Sequence, residues 1–379
     1  PTAVVSGPAG RPLAIAFLGD PNSIHLRRWA GWFAARGHRV WVLVPEGARI
    51  GAGLPAGIAI EWFVPFTRSR FHQLGGIAAR RALQALLARL APDVLHAHYL
   101  TGYGYYAFLS GFHPYAISVW GTDILVTARA SLRERLYARV ALSAADLVTG
   151  DSVELVRAAV AAGAHGSKSL LVEFGVDLAH FSPGPSPDEL RTRLGLDGRR
   201  VLFSPRTITP LYRHDVVLEA LARLPADVSV LMTSHLADPD ERSRLERRAA
   251  ELGVADRVLI IPALRHDAMV EAYRLAAVVV TVPSSDGTSV SLLEALAIGR
   301  PIVASDLPSV REWLGELNPE ALVPVGDAMA TARAIEVELT RSPEDQARMA
   351  QRGRAIVEDR ASVEVSMARA EALYRSLVR

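Results

Sequence analysis

Residues 278–304 read Val-Val-Val-Thr-Val-Pro-Ser-Ser-Asp-Gly-Thr-Ser-Val-Ser-Leu-Leu-Glu-Ala-Leu-Ala-Ile-Gly-Arg-Pro-Ile-Val-Ala. The β-branched run at the start predicts a buried strand, and the apolar stretch from Val290 to Ile298 predicts a short helix. Thr288 or Ser289 stands where a helix cap belongs, and Gly299 where a left-handed stop belongs. A second strand begins at Pro301. The polar loop between strand and helix therefore aims the N–H groups of Gly287, Thr288, Ser289 and Val290 at one place, together with the positive end of the helix. Such a place holds a diphosphate. Asp286 precedes the helix and Glu294 lies inside it, roughly one turn beyond the loop at 1.5 Å per residue. Carboxylates on the two sides of a diphosphate suit the hydroxyls of a sugar and of a ribose. Asp286 as a plain turn residue and Glu294 as a solvated helix residue remain an equal alternative from spacing alone.

Outward from this segment the same alternation fills the chain. Strands are predicted at 13–18, 38–44, 58–64, 94–97, 115–119 and 146–149, and again at 201–204, 228–232 and 258–261, with amphipathic helices between them. Strands alternating with helices specify an α/β fold with parallel sheets covered on both faces. The pattern pauses at 174–187, where three prolines and two glycines mark a linker. The expectation is two Rossmann-like, doubly wound domains facing a cleft, over 1–180 and 187–360. Residues 361–379 form a last helix that either closes the second domain or packs back on the first. Ligands in such sheets sit beyond the carboxyl ends of the strands.

Composition narrows the function. The 379 residues are 50% hydrophobic and 22% charged, which excludes a mostly disordered chain. No apolar run is long enough to span a bilayer, and no leader-like start is visible, so a cytoplasmic protein is expected. There is no cysteine, which excludes disulfides, thiolate metal sites and a cysteine nucleophile. Of 42 basic residues one is lysine, Lys168, so a phosphate clamp must use arginine, backbone N–H groups or hydroxyls. A formal charge of +2 does not suggest nucleic acid as a partner. Trp29, Trp32 and Phe33 lie among Arg27, Arg28 and Arg36, and Phe63, Phe66 and Phe71 lie near Arg68 and Arg70. These patches fit peripheral contact with the inner face of a membrane, or, as the favoured reading, core aromatics under solvated arginines. His96 and His98 share a strand face, but no third ligand has metal-site spacing, so no metal is expected. The sequence leaves the oligomeric state open.

The Asp286-x7-Glu294 segment, with Pro283-Ser284 before it and Gly299-x-Pro-Ile-Val303 after it, resembles the E-x7-E motif of the retaining GT-B glycosyltransferases, family 4. Asp stands where the family has its first Glu. The resemblance implies transfer of a hexose from a UDP- or GDP-sugar to an acceptor hydroxyl on a glycan, a lipid or a small metabolite, with no cofactor. It implies that Asp286 meets the donor sugar and Glu294 the ribose, and that Arg206 at the end of Ser204-Pro-Arg206 holds the diphosphate. The family's companion lysine is missing. Tyr212 falls nearest to its place and Arg213 is the adjacent cation. The loop containing Leu264 is where such folds hold the nucleobase. Asp93-Val-Leu-His-Ala-His-Tyr99 is similar to the family's His-x-His-Tyr strand end, which assigns His98 to the reacting sugar. Trp120-Gly-Thr122-Asp123 is similar to the family's Gly-Thr-Asp turn, with Trp in place of the usual His. Gly19, Asn22 and Ser23 sit in the first strand-to-helix loop, and these two loops are expected to line the acceptor side of the cleft. Phe174-Gly-Val-Asp177 with Phe181-x-Pro183 is similar to the family's hinge. Two other classes stay open on the residues: an NAD-dependent oxidoreductase, disfavoured because no Gly-x-Gly-x-x-Gly follows the first strand, and a non-catalytic nucleotide-sugar-binding or accessory protein.

Overall fold

The computed structural model describes residues 10–51, 53–64, 72–234 and 237–378, with the side chains of all of these but 72–78, 266 and 267. Phe66, Phe71, Arg68 and Arg70 lie outside the described residues. The chain divides into two compact units. One holds the residues up to Phe174 together with Ser366–Arg379, and the other is Gly175–Val365.

The first unit is built on strands β1 (Ala14–Leu18), β2 (Arg39–Pro45), β3 (Ile58–Phe63), β4 (Val94–His98), β5 (Tyr115–Val119), β6 (Leu147–Gly150) and β7 (Ser169–Leu171). They form one parallel sheet in the order β3-β2-β1-β4-β5-β6-β7. The second unit uses β8 (Arg200–Ser204), β9 (Val228–Thr233), β10 (Val258–Ile261), β11 (Val278–Thr281), β12 (Ile302–Ser305) and β13 (Leu322–Val323). These are also parallel, in the order β10-β9-β8-β11-β12-β13. In each sheet the winding reverses once, between β1 and β4 and between β8 and β11. A doubly wound sheet opens a crevice at that reversal, because successive crossover helices leave to opposite faces there.

Period-two alternation explains the second core. Val201, Phe203 and Val279 point to one face of the sheet, while Leu202, Val278 and Val280 point to the other. The helix Val290–Ile298 is buried on every side from Ser291 to Ile298. It lies between the sheet and the long helix Pro343–Ala361, whose Gly353 leaves room for Leu296. Gly299 ends the helix at φ 79°, and a Cβ there would also meet Ala350 at 3.0 Å. Truncating Leu292 or Leu293 in this layer would cost about 2–5 kcal/mol.

The expected boundary near 180 falls earlier, and the reason is packing. Phe181 and Val176 are buried in the second core. Arg354 donates to the carbonyls of Leu178 and Phe181 at 3.3 and 3.2 Å, and Val176 exchanges backbone bonds with Ala361 and Val363. The hinge-like segment is thus an integral part of the second unit. The helix Val363–Leu377 enters the first unit at Ser366, where Tyr374 is buried, stacks on Phe33 at 5.2 Å and hydrogen-bonds His96.

Candidate functional site

In the second unit the reversal brings together the loops that follow β8 and β11. Arg206 comes from the first and Asp286, Ser289 and Ser291 from the second. The Arg206 guanidinium donates to Asp286 Oδ2 at 2.8 Å, to Ser289 Oγ at 2.6 Å and to Ser291 Oγ at 3.0 Å, and its carbon lies 4.2 Å over the Tyr212 ring. The arginine is therefore held in place from three sides before any ligand arrives. Burial raises the Asp286 carboxyl above the usual carboxylate range, and the Arg206 charge opposes that rise. Ser289 takes the capping position of helix Val290–Ile298, but its hydroxyl goes to Arg206 and Ser291 and makes no capping bond to the helix. The expected hydroxyl cap is absent because a guanidinium competes for the same oxygen. Thr288 Oγ1 accepts from Trp313 Nε1 at 3.2 Å, and Ser309 Oγ donates to the Asp286 carbonyl at 3.0 Å, which fixes the loop from the far side.

Glu294 is buried one turn into this helix. The hydroxyl of Tyr273, from helix His266–Leu275, donates to Glu294 Oε2 at 3.0 Å and so fixes the carboxylate orientation. Arg213 is engaged by a neighbouring acid. Its backbone is left-handed (φ 49°), and its guanidinium pairs with Asp215 at 3.1 Å beside Gly326. His214 is fully buried, and burial drives its imidazole down to about 4. Leu264 is partly buried against the second core, as is Val290.

In the first unit the reversal lies between β1 and β4. His98 ends β4 and is buried among rings, with Phe17, Trp29 and Trp120 at centroid distances of 5.4, 5.0 and 5.6 Å and His96 at 4.4 Å. Neither of its ring nitrogens has a hydrogen-bond partner among the described residues. Burial holds its imidazole well below the usual histidine value, with His96 and His25 adding to the shift. Gly19 at the end of β1 packs over it, since a Cβ there would stand 2.2 Å from Leu26 and 3.3 Å from the His98 Cβ. His96 is satisfied by Tyr374 and by Ser118 at 2.8 Å, and Ser118 in turn meets Thr149 at 2.6 Å. Tyr99, just past His98, has φ 87°, a strained value for a side chain of its size.

The remaining residues of these loops are engaged locally. Asp123 accepts backbone bonds from Trp120, Gly121 and Ile124 on one oxygen and from Leu100 on the other, so it pins the turn to the end of β4. Thr122 Oγ1 meets Tyr99 Oη at 2.8 Å. Asn22 ties its own loop to the next, accepting from Gly51 and donating to the Arg49 carbonyl, and Ser23 caps the first helix. Trp29, Phe33 and Phe63 are core residues rather than surface ones, and Trp32 is half-buried under Arg36 at 4.5 Å. No cluster of three or more histidines and carboxylates fit for a metal occurs among the described residues, and none of their helices is long and apolar enough to cross a membrane.

Comparison with known proteins identifies the family. Residues 14–152 match the family described as glycosyl transferase 4-like, and residues 187–356 match glycosyl transferases group 1. The chain belongs to the GT-B glycosyltransferases, family 4. The D-inositol 3-phosphate glycosyltransferase of Mycolicibacterium smegmatis is 37% identical over 205 residues, covering 52% of this chain and 46% of that protein. The protein of the same name from Geodermatophilus obscurus is 34% identical over 190 residues, covering 47% and 42%. The matches thus span less than half of these relatives' length. Among solved structures, Anabaena Alr3699/HepE in complex with UDP and glucose superposes at a TM-score of 0.78, with 20% identity over 96% of this chain and 100% of that one. Sucrose-phosphate synthase from Thermosynechococcus elongatus gives 0.81, with 20% identity over 97% and 99%. At that identity the likeness concerns the fold.

Two side chains of this candidate site escape the sequence reading. Ser291 follows a helix start whose serines all read as caps. Tyr273 lies on a helix whose periodicity marks it only as core. The one available signal is its hydroxyl, since a buried tyrosine needs a partner.

Proposed function

We propose that this chain is a retaining hexosyltransferase that uses a nucleotide-diphosphate sugar, with its donor site in the second unit. The observation that carries the reading is the convergence of Arg206, Asp286, Ser289 and Ser291 at a helix start whose N-cap hydroxyl is turned to the arginine, with Glu294 oriented one turn further on. When the glycosidic bond to the donor breaks, negative charge grows on the departing diphosphate. Arg206 and the helix N-terminus supply the compensating positive charge from fixed positions. Binding a diphosphate requires Arg206 to exchange part of its bonding with Asp286 for phosphate oxygens, which releases Asp286 to take sugar hydroxyls. Glu294 takes the ribose hydroxyls. His98, neutral and with ring nitrogens that lack a partner among the described residues, takes a substrate hydroxyl. The resemblance of the Asp286-x7-Glu294 segment to the motif of the retaining enzymes supports retention of anomeric configuration.

UDP-sugars are the first donors to test, because UDP is bound in the Anabaena structure, and inositol phosphate the first acceptor, because of the relatives' name. Calorimetry with UDP, GDP and NAD, followed by transfer assays with the preferred donor, tests the reading. Donor affinity that falls about tenfold or more in Glu294→Ala supports it. Binding of NAD alone, or an unchanged Glu294→Ala variant, overturns it. Donor binding with neither transfer nor hydrolysis would reassign the chain as a non-catalytic binder.

A further inference from the structure

Some surface arginines of the described residues carry a carboxylate partner, as Arg89 does with Glu61, Arg200 with Asp227, Arg248 with Glu219 and Arg311 with Asp306. The helix Leu132–Ala144 sets arginines without a carboxylate partner among the described residues beside exposed leucines. It buries Ala138, Ala141 and Leu142 against the first unit. On the opposite side, at about 3.6 residues per turn, Leu132, Leu136 and Val140 form a central ridge. Leu132 is 82% exposed and Leu136 59%, the two most exposed large apolar side chains among the described residues. Arg135 and Arg139 flank one side of the ridge, and Arg133 and Tyr137 the other. All are exposed, with Arg133 lying 5.2 Å over the Tyr137 ring. Just before the helix, Val126 is 50% exposed and Arg129 is exposed. None of these four arginines is ion-paired among the described residues, and the helix's single acid, Glu134, is half-buried and bonded to Tyr105.

We infer that this face is a docking surface for an anionic lipid bilayer. A leucine ridge edged by arginines and a tyrosine suits a helix lying in the headgroup layer. The leucines enter the acyl boundary, the arginine stems follow them, and the guanidinium heads reach the phosphates. Charge selects this occupant over a second copy of the chain. A two-fold contact would set the same unpaired arginines against one another, whereas an anionic surface neutralises them all. The aromatic patches that the sequence offers for this role do not supply it, since Trp29, Phe33 and Phe63 are in the core. The inference is independent of sugar transfer and can fail without affecting it.

The test is sedimentation of the full chain with vesicles of phosphatidylcholine, alone or mixed with phosphatidylglycerol, at low and high salt. Binding is expected to the mixed vesicles and to weaken with salt. Each arginine removed in Arg133→Gln, Arg135→Gln and Arg139→Gln should lower partitioning about fivefold, and the Leu132→Ser/Leu136→Ser pair should lower it about tenfold or more. These positions are exposed, so circular dichroism should match the wild type. No binding to the mixed vesicles overturns the inference, as does wild-type binding by both sets of variants. Capture by polyglutamate without vesicle binding would assign the face to an acidic protein. A concentration-dependent dimer in ultracentrifugation that the leucine pair abolishes would assign it to a second copy.

Discussion

At the winding reversal of the first sheet the side chains are rings without charge, and at the reversal of the second sheet they are ions and hydroxyls. His98 lies among Phe17, Trp29, Trp120 and His96, while Arg206 lies among Asp286, Ser289 and Ser291. The same topology thus presents two chemical environments. One withholds water and keeps imidazoles neutral. The other organises positive charge at a helix end. The difference shows that the topology fixes where the loops converge, whereas the few residues after each central strand decide what chemistry is presented there.

Acid gives the largest separation of the two units. Burial holds His96 at about 3 and His214 at about 4, both below the unfolded value near 6.5. The native state therefore binds fewer protons than the unfolded one. The stability these neutral rings allow is complete above about pH 6.5 and drains away as pH falls toward the native values, by about 2 kcal/mol for each of the two at pH 5. His98 and His38 are shifted in the same direction and both belong to the first unit. Hydrogen exchange resolved by unit should show the first losing protection before the second between pH 6.5 and 4. Simultaneous loss would break the contrast.

Removing the organised charge should come next. Arg206→Ala is expected to lower kcat/KM by about a hundredfold to a thousandfold, roughly 3–4 kcal/mol of transition-state stabilisation, with Arg206→Lys recovering part of it. A tenfold effect or less would mean that another cation carries the diphosphate, with Arg213 the candidate to examine.

Much of this comparison is legible in the sequence, and what is not has physical causes. β-branched runs such as Val278–Thr281 announce strands because they are buried on both faces. The edge strands β7 and β13 span three and two residues, too few to show a period. The Asp286 and Glu294 pair is visible as spacing, but the hydroxyls that hold Arg206 look identical to caps. Arg213 is the instructive case, because no sequence pattern shows that this cation pairs with Asp215 from a left-handed backbone. Leu132 and Leu136 read as ordinary members of a helical pattern, and only the three-dimensional packing shows that nothing among the described residues covers them.

Smaller effects sharpen the picture of the uncharged site. Asp123→Asn replaces an acceptor oxygen by a donor opposite a backbone N–H, so urea unfolding should show a loss of about 2 kcal/mol, with the first unit most affected. An unchanged midpoint would remove Asp123 from its pinning role. Tyr374→Phe keeps the ring on Phe33 and deletes the bond to His96, which should cost about 1 kcal/mol and leave donor affinity in the second unit unaltered. A matching loss of donor affinity would show that the two sites are energetically linked.

The return of Ser366–Arg379 to the first unit bears on biosynthesis. On the ribosome the residues from Gly175 to Val365 are all available while the opening sheet still lacks Tyr374, its lid over Phe33 and His96. The part translated later is then the one able to finish maturing sooner, and a nascent chain stalled before its last turns exposes an apolar seam that chaperones recognise.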